Sequence, residues 1–260
     1  MGLAEFLQWN LTLFLLIFAR WAGMIMLAPV FGARGVPAMT KIGLAISISI
    51  LLYPLIQAGA PQIPDATVPY VVLILKEVIV GLVIGYVIAA ITSVLEGAGQ
   101  LIDMQMAFNM SGAIDPVFGL RSAMMGNFQV ILGIMLLLAT NAHHYLIAAM
   151  VKSYTYIPIN PGALPQSLDY YIYLIREIFT LSVQIALPVV GALVLADIGV
   201  GLLMRTVPQM NIFTVVFPVK IILGFIVIYL GVVFFGEVVS MLFERGMNWL
   251  YELYKGWQQS

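Results

Sequence analysis

Residues 68–95 read VPYVVLILKEVIVGLVIGYVIAAITSVL, an apolar run interrupted by one Lys–Glu pair. About 20 apolar residues suffice for a helix to cross roughly 30 Å of hydrocarbon. The run exceeds that length and shows no period-two alternation, so it reads as a membrane helix and not as a strand. Its surplus length implies tilt, a break, or helix continuing past the bilayer. Within it Glu77, Gly81, Gly85 and Ala89 recur every four residues and share one helical face. Small residues in that register let a second helix approach closely, which makes Gly81 and Gly85 a packing seam, within the chain or toward another subunit.

Outward from this stretch, further apolar runs fall at 11–31, 42–56, 128–151, 178–204 and 212–243. Turns rich in Pro and Gly separate them: FGARGVP at 31–37, AGAPQIPDATVP at 58–69 and YIPINPGALP at 156–165. The first run, preceded by no basic segment and followed by no small-residue cleavage site, reads as a retained helix. About six helical runs in one 260-residue domain point to an all-α, polytopic membrane protein of long helical hairpins. Pro188 and Pro218 lie within two successive runs and predict kinks or breaks.

Composition agrees. The chain is 62% hydrophobic and 9% charged, whereas soluble domains carry about 25% charged residues. Eleven basic residues against twelve acidic ones argue against nucleic acid as a partner. The absence of cysteine excludes disulfides and thiolate chemistry. His143 and His144 are adjacent, so on a helix they point about 100° apart and make a poor metal pair. GxSxG, P-loop and GxGxxG motifs are absent. No cofactor is expected, and an enzyme is the weakest reading.

Arg20, the Lys76–Glu77 pair, Asp197, Lys220 and Glu237 sit inside or at the edge of apolar runs, and Arg205 closes the fifth. A charge at mid-bilayer costs about 3 kcal/mol even on the mildest scale, so these groups are expected to face protein or water. A proton pathway and interhelical pairing both accommodate them. The expectation is that Lys76–Glu77, Asp197, Arg205 and Lys220 hold helices and subunits together. A secondary transporter built on broken helices is a competitor, but no matching interrupted segments appear in two halves.

Segment 97–127 differs from the rest, with Gly, Gln, Asp, Asn and Ser among methionines and phenylalanines. Irregular backbone of such composition survives at membrane depth only against protein or a water-filled cavity. Met104, Met106 and Met110 cluster with Phe108; they read equally as core packing or as a deformable gasket, given the adaptable thioether.

These residues carry a resemblance. Arg20 followed by PVFGARGVPAMTKIGLA (29–45), Lys76-Glu77 with Gly81 and Gly85, Gly99 and Asp103 with Gln105, Asp115-Pro116, and NAHHYLI followed by Ser153 all resemble the FliR/SctT export-gate family. The most specific piece is ALPVVGALVLADIGVGLLMRTVPQMNIFTVVFPVKIILG (186–224). The resemblance covers nearly the whole chain and favours the flagellar over the injectisome branch. It implies a non-enzymatic core subunit of a type III secretion export gate in the bacterial inner membrane and the flagellar basal body. One copy would close a hetero-oligomer with FliP-type and FliQ-type subunits around a pore, its fold looking like those two companions fused. FlhB-type and FlhA-type export proteins, exported flagellar proteins and membrane lipid would be its other partners. Residues 104–118 would match the family's pore plug, which assigns Met104, Met106, Phe108, Met110, Ile114 and Phe118 to the seal.

Overall fold

A computed structural model describes residues 3–29, 31–32, 35–57, 63–64, 66–107, 123–159, 168–206 and 212–258. Its regular elements are all helices: α1 Leu3–Leu27, α2 Ala38–Gln57, α3 Thr67–Gln105, α4 Met124–Ala139, α5 Ala142–Tyr156, α6 Leu168–Thr206 and α7 Ile212–Gln258. At 1.5 Å per residue, the 39 residues of α3 and of α6 each extend about 58 Å and the 47 of α7 about 70 Å. Each is roughly twice the hydrocarbon thickness, so the surplus length read in the sequence is carried by unbroken helix. Among the described residues, four helices are long and apolar enough to cross a membrane, or five if α4 and α5 count as one broken span.

Three expectations change. The run 128–151 is not one helix: α4 and α5 meet at a bend of 80°. The Thr140 hydroxyl donates back to the Leu136 carbonyl at 2.9 Å, and Asn141 adopts the left-handed conformation at φ 57°. That conformation ends a helix, and Asn tolerates it better than most residues. Segment 97–127 is not irregular throughout, because α3 runs to Gln105 and α4 begins at Met124. Gly97 and Gly99 are tolerated there because α3 is held by packing, which outweighs propensity. Finally, Pro188 lies inside α6 and Pro218 inside α7, and neither ends its helix.

The chain divides into two compact units built from discontinuous stretches. One comprises Met1–Ala90, Asn141–Tyr173 and Glu244–Ser260; the other comprises Ile91–Thr140 and Leu174–Phe243. In the first, α1 buries Leu13, Leu16, Ile17, Trp21 and Met24 at spacings of three and four, and α3 buries Leu73, Val80, Ile84 and Val87 in the same way. The C-terminal part of α7 belongs to this unit, with Trp249, Leu250 and Leu253 buried. In the second unit, Ala98, Ile102 and Met106 pack with Met125, Ala186, Val189 and Leu193.

Candidate functional site

In the first unit the α1–α3 contact is set by backbone proximity. An added Cβ at Gly85 would lie 2.7 Å from the Met24 carbonyl oxygen, and one at Gly81 would overlap the Arg20 carbonyl. The seam read from Gly81 and Gly85 is therefore an intrachain one. It brings Arg20 against Glu77, the residue four before Gly81 on the same face. Arg20 Nε donates to Glu77 Oε2 at 2.5 Å, and both side chains are fully buried. Arg20 Nη1 donates to the Ser153 hydroxyl at 3.1 Å and Nη2 to the Ile157 carbonyl at 3.0 Å. The Tyr154 ring lies 4.2 Å from the guanidinium carbon, a cation–π contact. One guanidinium thus ties α1 to α3 and to the end of α5. The planar fork, with donors in several directions, suits arginine to this role and not lysine.

Glu77 takes its ion-pair partner from α1, Arg20. Lys76 is itself buried. Nearby, Tyr254 Oη donates to the Ala149 carbonyl at 2.9 Å and stacks on Tyr156 at 5.3 Å. Tyr170 Oη donates to the Trp249 carbonyl at 2.7 Å, so the C-terminal turns are fastened by two phenols.

The second unit assembles the ends of α3 and α4, which flank residues 108–122. Asp103 makes three contacts here: its fully buried carboxylate accepts the Met125 amide on both oxygens at 3.0 Å and the Gly126 amide at 3.4 Å. Helix N-termini leave amides unpaired, and a carboxylate there also meets the positive end of the helix dipole. Ala123, in the capping position, offers no side-chain acceptor; Asp103 supplies the missing cap from twenty residues upstream. Gln105 Nε2 donates to Asp197 Oδ2 at 2.9 Å, and Lys220 Nζ approaches Asp197 Oδ1 at 2.9 Å, which links α3, α6 and α7. Asp197 is 39% exposed and Lys220 12%. Met106 is buried against Gly224, where an added Cβ would lie 2.6 Å from its terminal methyl. Ala107 follows in the left-handed region at φ 62°, which is strained for an L-residue.

Of the remaining sequence candidates, Met104 is exposed, next but one to the buried Met106. Phe108, Met110, Ile114 and Phe118 lie outside the described residues. Arg205 is exposed in the last turn of α6, where the negative end of the helix dipole favours a cation; burial expected from its apolar surroundings is not found. Glu237 is exposed as well. The rings of His143 and His144 lie 4.2 Å apart, and among the described residues no group of three His, Cys, Asp or Glu is placed to hold a metal. Sequence reasoning gave Asp103, Gln105 and Ser153 no structural role. For Asp103 the available signal was the poor cap at Ala123 ahead of an apolar helix.

The comparisons with known proteins fall on this framework. The family model for bacterial export proteins, family 1, matches residues 11–246. The chain is 33% identical over 245 residues to the flagellar biosynthetic protein FliR of Bacillus subtilis, covering 91% of this chain and 94% of that one. It is 33% identical over 211 residues to FliR of Caulobacter vibrioides, covering 80% and 84%. It is 26% identical over 224 residues to Yop proteins translocation protein T of Yersinia pestis, covering 84% and 85%. With helices of membrane-spanning length along most of its sequence, the chain belongs to the bacterial export proteins of family 1, the FliR/SctT components of type III secretion.

Proposed function

We propose that this chain is a core subunit of the flagellar export gate, present once in a hetero-oligomer with FliP-type and FliQ-type subunits around a pore for unfolded flagellar proteins. The observation that carries the reading is the 33% identity to a flagellar FliR over 91% of the chain. Two flagellar relatives at 33% identity support the flagellar branch over the injectisome. A gate subunit binds and positions chains without making or breaking bonds. Its setting is the inner membrane at the flagellar basal body, with FlhB-type and FlhA-type proteins as neighbours.

Large apolar side chains crowd the exposed faces of α6 and α7, among them Leu187, Leu195, Ile226, Tyr229 and Val233. Surfaces of that size are covered by lipid or by partner helices. Co-expression with the two companion types, followed by detergent extraction and mass measurement, tests the assembly. Recovery of a complex with one copy of this chain is expected. A monodisperse, thermostable monomer that binds a small solute would favour a transporter instead.

The plug assignment of residues 104–118 belongs to the same reading. A proton-driven machine must not leak ions, and an apolar constriction closes a pore by dewetting. Met104 and Met106, with Phe108, Met110, Ile114 and Phe118 further along, supply adaptable apolar groups. Deleting residues 106–112 is expected to leave an assembled complex that conducts ions. An assembled complex without added conductance would overturn the plug.

A further inference from the structure

α3 is an apolar helix with one exposed polar stripe. Ser93, Glu96, Gln100 and Met104 follow at spacings of three, four and four, and all four are exposed. Val94, Leu95, Ala98, Ile102 and Asp103, interleaved with them, are buried. Lys76, Glu77 and Asp103 are the helix's other charges and all are buried, so Glu96 is its one exposed charge. Within the stripe, Gln100 Nε2 donates to Glu96 Oε1 at 3.4 Å.

We infer that this stripe faces the aqueous export path, and that Glu96 presents a fixed negative charge to the unfolded polypeptide passing along it. The inference rests on the export-gate reading and names the surface of this chain that lines the conduit. Three physical points support it. Lipid is excluded as the occupant, because an ionised carboxylate and a primary amide on one face carry a large transfer penalty. A fixed partner subunit is disfavoured, since Ser, Glu, Gln and Met offer none of the Trp, Tyr or Arg anchors that concentrate binding energy. A weakly adhesive polar surface with one charge suits a polymer that must slide. The stretch of α7 from Val219 to Phe234 provides the contrast, its exposed large side chains being Val, Ile, Leu, Phe and Tyr.

The chain contains no cysteine, so single cysteines can be read without background. S93C and Q100C would be placed in the assembled complex in membrane vesicles, with Y229C and V233C on the apolar face of α7 as controls. Cationic and anionic membrane-impermeant methanethiosulfonates are the probes, used with and without export cargo stalled by a folded fusion domain. The expected result has three parts. S93C and Q100C react while the α7 controls do not; stalled cargo protects them; and the cationic reagent reacts about fivefold faster than the anionic one, from the nearby carboxylate. That ratio falls to near one in an E96Q background. Lack of reaction at both positions in a complex that exports normally overturns the inference, as does reaction that stalled cargo leaves unchanged. Failure of the chain to enter any export complex would instead overturn the reading beneath it.

Discussion

The carboxylate of Asp103, two residues before the end of α3, accepts the backbone amide of Met125 in the first turn of α4 at 3.0 Å. One side chain therefore joins the two helices that flank residues 108–122. Because the acceptor is charged and buried, its removal leaves amides without a partner in a dry site. Asp103→Ala is expected to destabilise the protein by about 2 kcal/mol, and Asp103→Asn, which keeps one acceptor oxygen, by about half that. Thermal unfolding of the purified complex measures both; equal effects for the two variants would argue against capping.

The two ion pairs should differ sharply. Arg20 and Glu77 are fully buried, so Glu77→Ala strands a guanidinium and should cost about 3–5 kcal/mol. Asp197 is 39% exposed, and Asp197→Ala should cost about 1 kcal/mol, less at high salt. Replacing both members of the buried pair, as R20M with E77L, should recover much of the loss of either single change. Complex yield and unfolding temperature across 50 mM to 1 M salt compare the pairs. A proton-relay role would show instead as normal assembly with proton-coupled export lost.

Gly81 and Gly43 form a matched test of the helix seam. A Cβ at Gly81 would collide with the Arg20 carbonyl, whereas one at Gly43 meets nothing within 4 Å. Gly81→Ala must push α1 and α3 apart and should lower complex yield severely. Gly43→Ala should be neutral or stabilising by up to about 1 kcal/mol, since alanine is the better helix former. If both variants assemble equally, the α1–α3 approach is not what Gly81 serves.

Ala107 holds the left-handed conformation at φ 62° just past the end of α3. That region costs an L-residue about 1–2 kcal/mol, and glycine enters it freely. Ala107→Gly should therefore raise the unfolding temperature modestly, corresponding to about 1 kcal/mol after glycine's larger unfolded-state entropy is subtracted. A lowered unfolding temperature would mean that the alanine methyl contributes packing that outweighs the strain.

The helices were legible in residue order because membrane-length apolar runs have few other stable outcomes. The run at 68–95 announced a long helix, and α3 is long; the prolines at 188 and 218 pointed to kinks or breaks, yet neither ends α6 or α7. The family resemblance, carried by 186–224 and by short motifs along the chain, was equally local information. Other features depended on tertiary structure. Thr140 and Asn141 look like ordinary helix-tolerated residues, yet they end α4 and turn the chain by 80°. The sequence left the partner of Glu77 open; the α1–α3 contact at Gly81 brings in Arg20, 57 residues away. Asp103 met Met125 only once both helices had a direction in space. Apolar periodicity is written in neighbouring residues, whereas the choice of partner for a buried charge is made by the crossing of helices remote in sequence. Where the penalty for an unpaired charge is highest, that crossing decides the pairing.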